Sequence, residues 1–283
     1  MNATGIAALL ALGSALCVAV ADSIQQRATQ QAADKSDSSL ELFSMLFRNR
    51  RWRWGGVVLL VSIVLQAEAL DQGSVLLVQV LLVLSLLFAL PISATLSQGE
   101  VTARQWVWAV VLTAAVGVIV TVGDPQAGQS RASLHTWLAV VAVLGPLLIG
   151  CLAVARRRGG ALAAVLLAFV SGTLWGVFAV PTKGVMAQLD HGVAAAVRAP
   201  ELYAWLVVAA GGFAWEQLAF RAGALTASMP TLEVTQPVVG ASLGMVVLGE
   251  TLNTGPAGMA ALAVAAVVMT VATVELARGG APA

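Results

Sequence analysis

Residues 74–97 read SVLLVQVLLVLSLLFALPISATLS, a stretch without one charged side chain. An α-helix needs about 20 mostly apolar residues to cross the hydrocarbon core of a bilayer, so this stretch predicts a membrane-spanning helix. The rest of the chain has the same character, because 59% of its 283 residues are hydrophobic and 10% are charged. A soluble domain has about 25% charged residues. The composition therefore excludes a water-soluble fold and predicts an all-α polytopic membrane protein.

Similar apolar runs on both sides of this stretch give about nine predicted spans. Most of the connections between them are too short to hold a separate soluble domain. We refer to the runs as the first to ninth predicted helices. They cover residues 4–25, 54–70, 74–97, 104–122, 134–155, 160–184, 202–221, 226–248 and 256–277.

The distribution of Lys and Arg orients these helices, since cytoplasmic loops of membrane proteins carry an excess of both. If the N-terminus lies outside and the number of spans is odd, most of the 15 basic residues and the C-terminus are cytoplasmic. Arg far outnumbers Lys, and Ala and Val are abundant, which indicates a GC-rich bacterial gene and hence the cell membrane. Three basic residues lie opposite, namely Arg131, Lys183 and Arg198. The cytoplasmic ones are Arg27, Lys35, Arg48, Arg50, Arg51, Arg53, Arg104, Arg156, Arg157, Arg158, Arg221 and Arg278.

The long connection between the first two helices, residues 26–53, begins polar and ends apolar and basic. Its segment LELFSMLF, residues 40–47, is too short to span a bilayer and is followed by a cluster of arginines. We expect an amphipathic helix that lies at the cytoplasmic membrane surface and is attracted to anionic headgroups. A topology anchor is the simpler interpretation, and a lipid-specific regulatory site is the alternative.

The sequence contains an internal repeat. An offset of 150 residues places the second to fourth predicted helices on the seventh to ninth, and a slightly larger offset places the first on the sixth. Residues 1–125 and 159–283 thus form two four-helix units, and residues 133–157 form a connector helix between them. The aligned residues are Gln66 with Glu216, Gly73 with Gly223, Gly99-Glu100 with Gly249-Glu250, and Ser14-Ala15 with Ser171-Gly172.

A single connector makes the second unit enter the membrane from the opposite side, which defines an inverted-topology repeat. Two similar packings related in this way can exchange by rocking, and they then expose a site near the middle of the membrane to each side in turn. Secondary transport is the usual function of such an architecture. The repeat therefore predicts a transporter.

The sequence LGETL at residues 248–252, followed by a Gly-containing apolar helix, resembles the end of an EamA-type repeat of the drug/metabolite transporter (DMT) superfamily. The layout is most similar to that of the NIPA-type magnesium transporters. The similar features are nine helices, WRWG at residues 52–55, and Ser171, Gly176 and Lys183 in the sixth helix. The resemblance covers nearly the whole chain and implies secondary transport by alternating access.

The second predicted helix departs from the pattern of the magnesium transporters. Residues 65–70 read LQAEAL, whereas members of that family carry Gly-Glu followed by Asn nearby. The resemblance thus implies a transporter of a small metabolite or a cation. Divalent cation transport, with magnesium as the substrate, is the alternative.

Ionisable residues inside a span are costly, so each is a candidate for a functional site. Glu216 and Gln217 lie in the seventh predicted helix, and Glu233 and Gln236 lie in the eighth. A hairpin turn near Gly223 places Glu216 and Glu233 at a similar depth. A proline on either side of Glu233 frees backbone carbonyls, which suits a cavity. Together these groups predict binding of a cation or an amine; the alternative is that they only bond neighbouring helices.

The first half offers weaker candidates. Gln66, Glu68 and Gln79 flank the turn at Gly73 as Glu216 and Glu233 flank the turn at the equivalent position of the second half. Trp175 lies between small residues of the sixth helix. It could stack on a ligand in a cavity, or it could simply fill space between closely packed helices.

Three charged residues lie near the predicted helix ends. Lys183 could point its ammonium group into an outer vestibule as part of the substrate site, although an ammonium that reaches to the membrane surface is the simpler interpretation. Glu100 and Glu250 follow the third and eighth predicted helices. We expect each of them to help begin the next helix as an acidic first-turn group.

Other chemistry is excluded by what the sequence lacks. No nucleophile, phosphate-binding loop or paired acid site occurs at catalytic spacing, so we expect no enzymatic activity and no bound cofactor. Cys17, Cys151, His135 and His191 have no partners at metal-ligand spacing, so we expect no metal centre. The expected partners are the lipid bilayer and a small solute or cation, with no nucleic acid, and a homodimer is left open. The rival interpretation is a non-transporting scaffold for a cell-envelope or lipid pathway.

Overall fold

The computed structural model describes residues 3–33, 39–97, 101–222 and 225–280. Almost all of these residues are helical, which confirms the prediction of an all-α protein. Lys35, Gly99, Glu100 and Gly223, which entered the predictions above, lie outside the described residues. The helices are α1 (Ala3–Ala33), α2 (Ser39–Arg48), α3 (Arg50–Gln72), α4 (Val75–Leu82), α5 (Ser85–Ser97), α6 (Ala103–Gly123), α7 (Leu134–Arg158), α8 (Gly160–Leu189), α9 (Val193–Arg198), α10 (Pro200–Arg221), α11 (Leu225–Leu248) and α12 (Pro256–Gly280).

Eight helices within the described ranges are long and apolar enough to cross a membrane. This confirms a polytopic helical membrane protein. The seventh predicted helix is present as α10, which has 22 residues but carries Glu201, Glu216 and Arg221 and is not among the eight. The eight segments are Ala3–Thr29, Arg50–Gln72, Val75–Ile92, Ala103–Gly123, Leu134–Arg158, Gly160–Leu189, Ser228–Leu248 and Pro256–Arg278.

Side chains that cap the helices fix where several of them begin. Asn49 accepts hydrogen bonds from the first turn of α3, and Ser74 and Ser133 do the same at α4 and α7. Thr102 opens α6 with a reciprocal capping box in which Gln105 bonds the backbone of Thr102. These side chains satisfy N–H groups that have no partner within the helix. They allow tight turns such as the one between α3 and α4.

The third predicted helix, residues 74–97, is interrupted in the structure. Val83 and Leu84 separate α4 from α5. The backbone tightens there, because the Leu84 N–H bonds the Leu81 carbonyl and the Leu87 N–H bonds the Leu84 carbonyl, each three residues back. A short tightened turn within a helix is common at functional sites. Here it lies beside the cavity described below.

The helix α8 is central to the packing, with α10 and α11 against it. In the first half, α1 packs against α3, α4 and α5, and α6 packs against α12 of the second half. Small residues allow these close approaches, since Ala7, Ala11 and Ala15 are buried on α1. A side chain at Gly176 would lie 2.7 Å from the Gln236 carbonyl oxygen, so α8 and α11 meet through their backbones. The helix α7 packs mainly against α8, and most of its surface is exposed.

The bundle has two ends, which we name after residues that lie there. At the Gly73 end, a Cβ on Gly73 would lie 2.8 Å from Ala7, so the start of α1 lies beside the α3–α4 turn. The strands β1 (Pro125–Gln126) and β2 (Thr251–Leu252) pair antiparallel at the same end. At the Arg104 end, Arg104 pairs with Glu275 near the end of α12. The chain therefore starts at the Gly73 end and finishes at the Arg104 end.

The connection between α1 and α3 contains the amphipathic helix α2. Leu42 and Leu46 are fully buried and pack with Ala28 and Trp52. Arg48 is exposed on the same helix. The helix thus lies against α1 and α3 with its apolar face and presents its basic end outward.

Candidate functional site

A cavity lies between the two halves, where α1, α3, α4 and α5 face α8, α10 and α11. Half of its lining residues are polar, three of these are carboxylic acids, and none of the described lining residues is Lys, Arg or His. Charge buried in a membrane protein is costly unless a counter-charge balances it. We call this space the acidic cavity. Its polar lining residues are Asp22, Ser62, Gln66, Gln79, Ser85, Glu216, Glu233 and Gln236.

Glu216 on α10 is held in the cavity wall by Trp175 on α8. The indole Nε1–H donates to Glu216 Oε2 at 2.8 Å, and both side chains are buried. The Trp175 ring lies against Gly212, where a Cβ would be 3.3 Å from the indole. It also makes an edge-to-face contact with Phe178. These contacts fix the ring, and the fixed ring orients the carboxylate.

Gln66 on α3 and Gln79 on α4 bring buried amide atoms that lack hydrogen-bond partners among the described residues. Gln79 is fully buried with neither amide atom bonded, and the Nε2 of the buried Gln66 is not bonded either. Gly240 on α11 makes room for Gln79, since a side chain there would overlap the amide. A buried polar group without a partner costs about 1–3 kcal/mol. A ligand in the cavity is one partner that would satisfy these amides.

The helix α11 contributes Glu233 and Gln236, with Pro237 beside them in the cavity wall. Pro237 has no N–H, so it cannot bond the carbonyl of Glu233 four residues earlier. Such a backbone oxygen is tolerated in a membrane where it lines a cavity. Gly172 on α8 lets α11 approach closely at this depth, because a Cβ there would lie 2.9 Å from the Leu232 carbonyl oxygen. The result is an acidic and acceptor-rich face on α11.

Comparison with known proteins gives one informative relative. An uncharacterized protein of Corynebacterium glutamicum is 33% identical over 284 residues, which cover 98% of this chain and 96% of the relative. The chain belongs to the family of that protein. No family model matches the chain, and no solved structure matches it. The similarity therefore extends over nearly the full length of both proteins.

For this member of the family, the structure brings together most of the site residues that the sequence suggests. Glu216, Glu233, Gln236, Gln66, Gln79 and Trp175 all line the acidic cavity. Glu68 does not, because it is exposed on the outer face of α3. Gln217 is also outside the cavity; its Oε1 accepts from Thr29 Oγ1 at 2.6 Å and from the Trp52 indole at 3.5 Å. Gln217 therefore joins α10 to α1 and α3.

The two expectations for Lys183 are both wrong. Its side chain is buried rather than extended to the membrane surface, and it does not line the acidic cavity. The ammonium donates to the Gly73 carbonyl at the α3–α4 turn and lies 3.9 Å from Glu250 Oε1. These two partners explain the buried position, since a buried ammonium needs both an acceptor and a counter-charge.

The expected role of Glu250 also needs correction. Instead of beginning α12, its carboxylate accepts from the backbone N–H groups of Val75 at 2.6 Å and Leu76 at 2.9 Å. It therefore occupies the N-terminus of α4 in the other half, where the helix dipole favours negative charge. Burial raises the pKa of the Glu250 carboxyl above its ordinary value, whereas the two N–H bonds and the Lys183 ammonium act in the opposite direction.

The sequence reading missed Asp22, Ser62 and Ser85 as lining residues. Asp22 carried a usable signal, since it is an ionisable residue inside the apolar segment Ala3–Thr29. Asp22 is nevertheless hard to recognise as a site residue, because it lies among the polar residues that end the first predicted helix. Ser62 is recognisable only in three dimensions, where its hydroxyl lies 2.9 Å from the hydroxyl of Ser14.

The acidic cavity differs from a metal centre built from three close protein ligands. Within the described ranges, no three His, Cys, Asp or Glu residues lie close enough together to hold a metal ion. Asp22, Glu216 and Glu233 line the cavity from three different helices, α1, α10 and α11.

Proposed function

We propose that this protein is a secondary transporter of the DMT superfamily that moves a cationic solute, a small amine or a metal cation, by alternating access. The observation that carries the proposal is the acidic cavity, with three carboxylic acids, unpartnered amides of Gln66 and Gln79, and no basic lining residue among those described. Negative charge of this kind in a membrane needs a positive ligand or protons. A scaffold whose helices only pack against one another does not require such an acidic lining.

An inverted repeat supports alternating access. In the first half, the Ser14 hydroxyl donates to the Ser62 carbonyl at 3.0 Å, and in the second half the Ser171 hydroxyl donates to the Gly212 carbonyl at 2.8 Å. Ser14 and Ser171 are equivalent in the repeat, and residues 62 and 212 are separated by the offset of 150. Equivalent hydrogen bonds therefore join α1 to α3 in the first half and α8 to α10 in the second half.

The count of nine spans is part of the proposal. The helix α10 runs from Glu201, which contacts Gly184 near the Gly73 end, to Gln217, which bonds Thr29 near the other end of α1. With 22 residues it is long enough to cross the hydrocarbon core of a bilayer, and it is antiparallel to α8. With α10 included, the Gly73 end faces outward and the Arg104 end, with most basic residues, faces the cytoplasm of a bacterial cell.

Flux assays test the proposal. Purified protein in proteoliposomes should give saturable uptake of at least one member of a panel of alkylamines, Mg²⁺ and monovalent metal ions. Because each lost charge removes about 1.5–3 kcal/mol of binding, Asp22→Asn, Glu216→Gln and Glu233→Gln should each reduce uptake about 10-fold or more. Glu68→Gln is the matched control, since Glu68 is exposed outside the cavity.

The outcomes separate the alternatives. Uptake of Mg²⁺ alone would favour the magnesium transport that the NIPA resemblance implies, and uptake of amines would favour an organic cation. Full uptake in all three cavity variants would contradict the site. Uptake of no panel member by folded protein would support the scaffold interpretation instead.

A further inference from the structure

A buried contact joins the two halves at the Gly73 end of the bundle. Lys183 of α8 donates to the Gly73 carbonyl, and Glu250 after α11 accepts from Val75 and Leu76. Both charged side chains are buried, with 6% and 4% of their residue surfaces exposed. Two buried charged residues of the second half thus contact the α3–α4 turn of the first half.

Toward the Arg104 end, a second cavity borders the acidic cavity. The two cavities share Asp22, Ser85 and Glu233. The second cavity extends along α1 to Gln26 and along α12 to Leu276, near the end of the bundle where Glu275 pairs with Arg104. The acidic residues therefore lie between the buried contact at the Gly73 end and the second cavity toward the Arg104 end.

We propose that the contact of Lys183 and Glu250 with residues 73–76 is a gate that closes the acidic cavity at the Gly73 end, and that solute reaches the cavity through the second cavity from the Arg104 end. The statement about solute rests on the proposed function; the statement about access does not. The described conformation is then the state open toward the Arg104 end.

The chemistry of the contact suits a gate that opens and closes. A buried ion pair has a large desolvation cost, so its net contribution to stability is small even when its geometry is good. When the halves separate, water solvates both charges and the N–H groups at the start of α4, which offsets the bonds that are lost. Apolar side chains in the same place would gain nothing from water and would hold the halves together. The pair therefore permits two states of similar free energy.

Cysteine accessibility tests the gate without any flux measurement. In a Cys17→Ala, Cys151→Ala background, Ile63→Cys reports on the acidic cavity and Ala89→Cys on the second cavity. A membrane-impermeant thiol reagent is added to right-side-out or inverted vesicles. We expect both cysteines to react from the Arg104 side and Ile63→Cys to react only slowly from the Gly73 side.

Breaking the gate should change the side of access. Lys183→Met or Glu250→Gln should increase labelling of Ile63→Cys from the Gly73 side about 10-fold, since each removes one partner of the contact. Glu201→Gln is the control, because Glu201 forms another ion pair at the same end, with the half-exposed Arg131, and this pair does not involve the α3–α4 turn. It should leave the labelling rate unchanged. Lys183→Arg keeps the charge and should behave closer to the parent.

Three results would overturn the gate. The first is an unchanged labelling rate in both Lys183→Met and Glu250→Gln variants that unfold cooperatively at the parent temperature. The second is an equal increase in Glu201→Gln, which would indicate general loosening of that end. The third is reaction of Ala89→Cys from the Gly73 side alone. If labelling follows the expected pattern while no solute is transported, the gate stands and the proposed transport fails.

Discussion

Some polar side chains of the acidic cavity have hydrogen-bond partners among the described residues, and others have none. Glu216 is oriented by the Trp175 indole, whereas the Gln79 amide is fully buried without a partner among the described residues. Natural proteins keep such unsatisfied groups mainly where function requires them. Substitution at these two positions should therefore separate stability from binding.

Trp175→Phe removes the indole N–H and retains most of the ring. The hydrogen bond to a carboxylate contributes about 1.5–3 kcal/mol, so we expect the apparent KM for solute to rise about 10-fold or more in proteoliposome uptake. Trp205→Phe is the control, because Trp205 packs on the other side of Phe178 and does not line the cavity. An equal rise of KM in both variants would show that Trp175 acts through packing alone.

Gln79→Met should raise the unfolding temperature while it lowers uptake. The substitution nearly conserves volume and removes a buried amide whose lack of partners costs about 1–3 kcal/mol, so the folded state gains stability. Thermal unfolding in detergent and uptake in vesicles measure the two effects. A lower unfolding temperature would mean that Gln79 is satisfied in the native protein and has no need of a ligand.

At the scale of elements, sequence reasoning succeeded where the signal was local and failed where it was not. Glu216 and Glu233 are recognisable as charges within apolar helices, and their helices are found where hydropathy places them. Glu250 bonds Val75, which is 175 residues away, so no local pattern could show that it occupies the N-terminus of α4. The break between α4 and α5 was missed for a different reason. Uniformly apolar residues carry no sign of a tightened turn.

The close contact between α8 and α11 depends on Gly176, which has no side chain. A Cβ at Gly176 would lie 2.7 Å from the Gln236 carbonyl oxygen and 2.8 Å from Val239. Gly176→Ala should therefore lower the free energy of unfolding by about 1–3 kcal/mol, because the helices must move apart. Gly150→Ala on α7 meets open space and should be neutral or stabilising, since alanine favours helix more than glycine does. Thermal unfolding of the two variants provides the comparison, and equal losses would contradict it.

The two ends of the chain lie at opposite ends of the helical bundle. The start of α1 lies at the Gly73 end and the end of α12 at the Arg104 end. Apolar length could predict the spans from sequence, and the placement of Arg predicts an orientation in the membrane that the tags described next would test. The cavity could not be predicted in full, because its walls come from seven helices whose mutual rotation hydropathy does not specify.

Epitope tags on the two ends test this arrangement in cells. We expect a tag on the N-terminus to be accessible to antibody on intact spheroplasts and a tag on the C-terminus to become accessible only after permeabilisation. Proteolysis of the same tags in inverted vesicles should give the reverse pattern. Detection of both tags in one compartment would contradict an odd number of spans and, with it, the inverted repeat.

The helix α7 contacts little beyond α8, so the two halves are not held together by the segment that joins them. Their association depends on the contacts of α3 with α8, of α4 with α11 and of α6 with α12. A gene divided in the loop between β1 and α7 would thus encode two fragments that retain complete surfaces for mutual recognition. In the inverted arrangement that we propose, α7 sets the direction in which the second half enters the membrane, and a fragment that begins with α7 would retain that helix.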